Sequence, residues 1–382
     1  EKVLRIAPKR EGVRAELAEL NVLDTKYAVQ TGVAVCFQRS PFYGNIFHHF
    51  VDDMVILYSI LKRVGGLQQN HIYFLDKVSG KKVEAYRPML ESYKLLSPNP
   101  VVELSEVAKD PKLALFWKKA VFGRDLRGLH FTKSTAISSD YKHYELINPD
   151  ESKINVLYTE FAAFVKSNMG LSNNVIDDDG KINVTFVSRA KAKRRKLANE
   201  KEIIEYLQSR EDVRVQSIAL EEHSLEEQIS IMHNTNVLVG MHGAGLVNLI
   251  FMSRGSVVIE MFPFNFKRIS FETLAAYTGM HYISWVNKCP LHTTVNTKYC
   301  HDLIKQHIDP TKATCSSDRF IERIYNVPTN QTFVPQLHNI LQFYSQQKLA
   351  RRPVPVMARD RHCFRDQNTI ISLDEFKLLF NF

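Results

Sequence analysis

The 382-residue chain lacks any run of about 18 uninterrupted apolar residues, so no membrane-crossing helix is expected. Its five cysteines (Cys36, Cys289, Cys300, Cys315 and Cys363) include no Cys-x-x-Cys pair, which argues against a zinc ribbon. No long Lys/Arg block occurs, and basic residues do not interleave with aromatic ones. The net charge of +9 therefore suits an anionic ligand rather than a nucleic acid. Internal repeats and low-complexity stretches are missing too, which excludes solenoids. The chain opens at Glu1 rather than Met, so a removed leader or membrane anchor is expected ahead of it.

What is present describes an ordinary soluble globular protein, with 45% apolar and 24% charged residues. Its length favours two domains. Four of the five cysteines follow position 288, where disulfides could staple a loop-rich tail in an oxidising compartment. Two Asn-x-Ser/Thr sequons occur. Asn183 sits in the strand-like "INVTFVS" and is a poor glycosylation acceptor, whereas Asn330 lies in a polar turn. Together these features point to the secretory pathway.

Residues 1–22 form a charged lead-in. Strands are expected at "AVCF" (Ala34–Phe37) and "HIYFL" (His71–Leu75). Between them Ile46, Phe50, Met54, Leu57 and Leu61 recur at helical spacing, and Gly65-Gly66 ends the pattern. A polar, turn-rich stretch over 168–182 marks a domain boundary, giving an N-terminal domain over 23–175 and a second over 176–290. In the second, "INVTFVSR" leads through the basic loop "AKAKRRKLA" to the helix "NEKEIIEYLQS", with Asn199 as N-cap. Then follow strand "VRVQSIAL", a helix with Ser224 and Glu227 at capping-box spacing, strand "VLVG", a short helix "AGLVNLIFM" and strand "SVVIEMF". This alternation predicts a parallel, doubly wound α/β sheet. From 291 to 382 it is lost in a Cys-containing extension with a late helix around Val334–Gln347.

The chemistry concentrates in "VGMHGAGL". Gly243 and Gly245 allow backbone N–H groups close to an anion, and the start of the next helix, at Ala244, adds its positive dipole end. His242 stands at the carboxyl edge of the strand, where open α/β sheets bind ligands. The glycine spacing is G-x-x-G-x-G, neither the dinucleotide fingerprint nor a Walker loop. A tight packing turn is the alternative. Arg189 closes the preceding strand and Arg194-Arg195 lie in the loop behind it, at the same sheet edge, where guanidiniums would grip a pyrophosphate. Lys191, Lys193 and Lys196 read as solvated. Glu260, inside an apolar strand, needs a partner, either hydroxyls of a ribose or a structural hydrogen bond.

Upstream, "FHHFVDD" pairs His48 with Asp52 and His49 with Asp53 at helical i,i+4 spacing, a workable general-base arrangement but not a coherent metal-ligand set. The Asp-x-Asp in Asp177–Asp179 precedes its strand instead of following one, and reads as a solvated loop.

"VLVGMHGAGLVNLIFMSRGSVVIEMFP", "VTFVSR" followed by "RKLANEKEI", and "NIFHHFVDD" together resemble glycosyltransferase family 61. "YKLLSP", "LEEHSLEEQI" and "RFIERIYNV" draw the likeness toward its branch acting on protein O-mannose. The resemblance implies a GT-B fold, two Rossmann-like domains facing across a cleft, followed here by an irregular and helical C-terminal extension. It implies inverting transfer from a UDP-sugar, most simply UDP-GlcNAc, to a glycan or glycoprotein hydroxyl in the endoplasmic reticulum or Golgi lumen, with neither metal nor cofactor. UDP-xylose is the alternative donor, and an inactive carbohydrate-binding protein the alternative class. Carried over by position, Arg189, Arg195, His242, Gly243, Ala244 and Gly245 would hold the diphosphate, and Glu260 would contact the nucleoside. Asp53 or Asp52 would be the base, with His49 next. The fibronectin-like sandwich of that branch is not expected after residue 290.

Overall fold

The computed structural model describes residues 2–9, 12–19, 26–42, 44–78, 82–107, 113–123, 151–171, 180–264, 266–287, 289, 292–294, 300, 302, 321–325 and 367–380. Asp177–Asp179, Asn330, Cys315, Cys363 and the helix expected around Val334–Gln347 lie outside them. The chain divides into two compact units, Glu1–Leu129 with Ser167–Gly170, and His130–Lys166 with Leu171–Phe382.

In the first unit, β1 (Lys2–Lys9) and β2 (Gly12–Glu19) pair antiparallel, so the charged lead-in carries a hairpin. Strands β3 (Lys26–Phe37), β4 (Asn70–Phe74), β5 (Val102–Glu103) and β6 (Leu113–Phe122) form a wholly parallel sheet in the order β5-β4-β3-β6. The run Val33–Phe37 is buried throughout, as a parallel strand covered on both faces requires. Gly32, at φ 90, sits where the β3–β6 register shifts, and a Cβ there would meet Gln69 O at 2.6 Å.

The single helix expected between β3 and β4 has three parts. Asn45 caps α1 (Ile46–His48), a π-helical turn covers His49–Met54, and α2 (Val55–Val64) ends at Gly65 in the left-handed region. The sequence spacing offers a reason. Ile46, Phe50 and Met54 recur every fourth residue, overshooting a turn of 3.6, and a widened turn absorbs the excess. Helices α3 (Lys82–Glu91) and α4 (Leu104–Val107) complete the unit.

The second unit takes in α5 (Glu151–Asn168) up to Lys166, where Tyr158 stacks on Tyr277 and Phe161 packs on Phe251. The expected alternation then appears. Strands β7 (Ile182–Val187), β8 (Val213–Ile218), β9 (Val237–Met241), β10 (Val257–Phe262) and β11 (His281–Val286) are parallel. They are linked through α6 (Glu200–Gln208), α7 (Leu225–His233), a 3-10 helix (Ala244–Phe251) and α8 (Ser270–Thr278). The predicted capping box of Ser224 and Glu227 is present on α7. Short strand β12 (Thr293–Thr294) pairs with β14 (Asn368–Thr369), while β13 (Ile321–Tyr325) adds an antiparallel edge, giving the order β13-β11-β10-β9-β7-β8.

Both β8 and β9 neighbour β7, so the strand order reverses at β7/β9, and the loops leaving these two strands diverge at a topological switch point. The tail is not a loose appendage. Ile371, Phe376, Leu379 and Phe380, on and around α9 (Leu373–Leu379), are fully buried in the core of this unit. Each large apolar side chain so buried stabilises by about 1.5–3 kcal/mol. Cys289 and Cys300 are disulfide-bonded. Free Cys36 is buried, which pushes its thiol up to about 12 and leaves it inert. Among the described residues no helix is long and apolar enough to cross a membrane.

Candidate active site

The loops after β7 and β9 bring together the residues singled out in the second unit. The Arg189 guanidinium donates from Nε to Arg195 O (3.1 Å) and from Nη2 to Arg194 O (3.3 Å). It thereby ties the basic loop back on itself. Glu200 accepts from Ser188 Oγ and from the Arg189 backbone N–H. A Cβ on Gly243 would overlap Arg189 Nη1. Gly243 has φ −172, ordinary extended backbone, so the glycine is needed for space rather than conformation. Gly245 likewise makes room, since a Cβ there would lie 2.8 Å from Leu220 Cδ1. Ala244 opens the following helix, which is 3-10 rather than α and holds Leu246 N–H on Gly243 O at 3.1 Å.

Arg195 lies at φ 56, and no other non-glycine among the described residues has positive φ. Such a conformation costs about 1–3 kcal/mol and persists only when its surroundings impose it. The C-terminal segment does so. Lys196 N–H donates to Asn368 Oδ1, Thr369 N–H to Lys196 O and Ala198 N–H to Thr369 O. Asn199 stands at the N-cap of α6, but its side chain makes no capping bond, contrary to expectation. It brackets the backbone of Ile371 instead, donating to the carbonyl at 2.7 Å and accepting from the N–H at 3.3 Å.

His242 and Glu260 meet through sheet register. Glu260 pairs with Gly240 on β9 and with Ser284 on β11, so His242 and Tyr282 are its diagonal neighbours on one face. Glu260 Oε1 lies 2.5 Å from His242 Nδ1, and Tyr282 Oη donates to Oε2 at 2.5 Å. With both oxygens so engaged, the Glu260 side chain stands behind His242. Burial pushes its pKa up to about 8, opposed by the Tyr282 hydrogen bond, Lys267 and Arg195. His242 is held well below its usual value by burial, then by Arg195, Arg268 and Arg189. Phe262, Phe266 and Phe271 pack around its ring. Arg189 itself is depressed by burial and by Arg194, with Glu221 opposing.

Three guanidiniums thus act on one imidazole at the carboxyl edge of a parallel sheet. Fixed positive charge at that edge, where open α/β sheets bind ligands, is suited to an anion. Sequence reasoning passed over Arg268, Lys267 and Tyr282. "FKRI", just past the end of β10, was the available signal for the first two.

The first-unit candidates are placed differently. Asp53 is buried and accepts the Ser40 backbone N–H at 2.8 Å. His49 is buried with Nε2 2.7 Å from Ser92 Oγ, not on Asp53. The Ser92 hydroxyl donates to Met89 O, so His49 must supply the hydrogen from Nε2, and its Nδ1 lacks a hydrogen-bond partner among the described residues. Burial, then Arg39, lowers the His49 pKa to about 3. Asp52 is only part-buried, holds His48 Nδ1 at 2.6 Å, and the His48 ring stacks at 4.3 Å on Phe42, which is 58% exposed. The His48–Asp52 pair therefore forms as the spacing predicts, and the His49–Asp53 pair does not.

A family model described as Glycosyltransferase 61 matches residues 47–259. Over 262 residues the chain is 26% identical to the Homo sapiens protein O-linked-mannose beta-1,4-N-acetylglucosaminyltransferase 2, covering 66% of this chain and 42% of that protein. The proteins of the same name from Bos taurus and Tetraodon nigroviridis are 27% and 28% identical, over 66% and 64% of this chain and 42% and 40% of theirs. The chain spans less than half the length of these curated relatives.

Proposed function

The chain belongs to glycosyltransferase family 61, and on that premise we propose that it transfers a sugar, GlcNAc in the first place, from a UDP-sugar to a hydroxyl of a glycan or glycoprotein. The donor's diphosphate sits against the loops after β7 and β9. What carries this reading is the convergence of Arg189, Arg195 and Arg268 on His242 beside a glycine whose missing Cβ admits Arg189. A nucleoside diphosphate leaves as an anion, and fixed positive charge aimed at it is the main aid such a site can give. GlcNAc is favoured because the relatives named above carry N-acetylglucosaminyltransferase in their names.

In this reading the two units are the halves of a GT-B enzyme, the second binding the donor and the first the acceptor. Transfer inverts the anomeric centre, and the charge that a metal would neutralise elsewhere is met by guanidiniums. The acceptor hydroxyl loses its proton to a carboxylate of the first unit. Asp52 is preferred over Asp53 and His49, because it alone of the three keeps solvent exposure and carries a histidine partner. The bonded state of Cys289 and Cys300 favours work in the oxidising lumen of the secretory pathway.

A donor screen tests the proposal by following UDP release from UDP-GlcNAc, UDP-xylose and other UDP-sugars over a panel of glycan acceptors. Turnover confined to UDP-GlcNAc is the expected result. Turnover with UDP-xylose would move the chain to another branch of the family. Binding without turnover across the whole panel would make it a carbohydrate-binding protein.

A further inference from the structure

The protons on the line Tyr282–Glu260–His242 can be counted. Tyr282 Oη gives its hydrogen to Glu260 Oε2, and Oε1 faces His242 Nδ1 at 2.5 Å, so at most one proton lies between these last two atoms. With that proton on the carboxyl, the imidazole is neutral and its hydrogen must sit on Nε2. With the proton on Nδ1, the ring is an imidazolium and Nε2 again carries a hydrogen. Both forms are neutral as a pair and both present an N–H donor. Removing one proton from the pair leaves Nδ1–H on an ionised carboxylate, a bare lone pair at Nε2 and a net charge of −1. The ring's hydrogen bond among the described residues is made by Nδ1, leaving Nε2 open, and the side chain keeps 12% of its surface exposed.

We propose that His242 and Glu260 act as a one-proton pair that binds the donor diphosphate through His242 Nε2–H, with Glu260 as the positioning residue that fixes the tautomer. As negative charge builds on the departing UDP, the proton passes from Glu260 Oε1 to His242 Nδ1. One O–H bond breaks, one N–H bond forms, and no bond to the substrate changes in that step. The diphosphate then faces an imidazolium. This rests on the diphosphate assignment made above.

The surroundings hold the proton in place. Arg195 acts on both members, Arg268 and Arg189 on His242, Lys267 and Tyr282 on Glu260, while α8 contributes the Phe271 ring. Burial outweighs the cations and the tyrosine, and keeps the carboxyl protonated up to about pH 8. Above that, the pair becomes an anion facing an anion.

The test is UDP affinity, measured by calorimetry from about pH 7 to about pH 9.5, where the terminal phosphate of UDP, with its last pKa near 6, is already ionised. For the wild type, affinity should hold to about pH 8 and then fall toward tenfold per pH unit, the limit for one linked proton. In Glu260→Gln the amide donates to Nδ1 and keeps Nε2–H without titrating. Its affinity should be flat and within about threefold of wild type at pH 7, with turnover down roughly tenfold for want of the imidazolium. A second variant guards against misfolding. Tyr282→Phe removes the donor that favours the ionised carboxylate, so the break should move to higher pH. A flat wild-type profile, or the same break in Glu260→Gln, overturns the inference and leaves the diphosphate site standing. Absence of UDP binding to the wild type at pH 7 removes the site and the inference together.

Discussion

One histidine in each unit has its pKa depressed by desolvation, His49 buried in the first and His242 part-buried at the sheet edge of the second, yet they are prepared for different work. His49 rests on a serine hydroxyl, its charge disfavoured by burial and by one nearby arginine, and Nδ1 stays a bare acceptor. His242 rests on a buried carboxyl and is surrounded by three guanidiniums. The two differ in their partners as well as in depth, His49 being closed off and His242 keeping 12% of its side-chain surface exposed. A neutral histidine on a hydroxyl is held by one ordinary hydrogen bond, whereas one on a protonated carboxyl within a positive field is suited to the anion-binding role proposed for it.

The comparison can be broken or sharpened by substitution. The largest effect belongs to the part-buried His48–Asp52 dyad of the first unit, where Asp52→Asn removes the proposed base. Turnover should fall by roughly 10²–10⁴-fold, the usual worth of a general base, with UDP affinity unchanged. Loss of UDP binding in that variant would place Asp52 on the donor side and erase the contrast between the units. Next comes Gly243→Ala, which forces the Arg189 guanidinium out of its seat. UDP affinity should drop about tenfold, as for one charge-assisted hydrogen bond, with the unfolding midpoint little changed. A variant binding UDP as the wild type does would make Gly243 a packing glycine only.

The smallest effect concerns acid. The folded-state pKa of His49, about 3, lies below the unfolded value near 6.5, so its contribution to stability is full above pH 6.5 and is lost as pH falls toward 3. His281, lowered to about 4, and His242 add slopes of the same sign from the second unit. Denaturant midpoints of wild type and His49→Gln, compared at about pH 7 and about pH 4, isolate the first unit. The glutamine variant should lose less stability on acidification, by up to a few kcal/mol. Equal losses would mean that His49 protonates without cost and is not buried as described.

Much of this was legible in order along the chain. The alternation over 181–290, the Ser224 capping box, the His242–Gly245 turn and the paired arginines are local patterns, and each lies where sequence reasoning put it. The missing parts are the non-local ones. Asn199 looked like a cap because capping is a local function, but its partner Ile371 lies 172 residues away. Glu260 read as needing either ribose hydroxyls or a structural hydrogen bond, and the identity of its structural partners was hidden because neither His242 nor Tyr282 is near it in sequence and only strand register makes them neighbours. The π turn escaped because helical spacing of three and four residues does not distinguish a 3.6-residue turn from a widened one. Asp52 and Asp53 are adjacent in sequence, and only packing shows that one faces outward and the other holds Ser40.

The central claim is that the second unit's sheet edge grips a diphosphate through the loop organised by Arg189. Its most direct test is a calorimetric titration of UDP into wild type and Arg189→Ala. The account predicts binding to the wild type and a loss of roughly a hundredfold or more in the variant, which forfeits a guanidinium and the fold of the basic loop. Wild-type affinity in Arg189→Ala would contradict it.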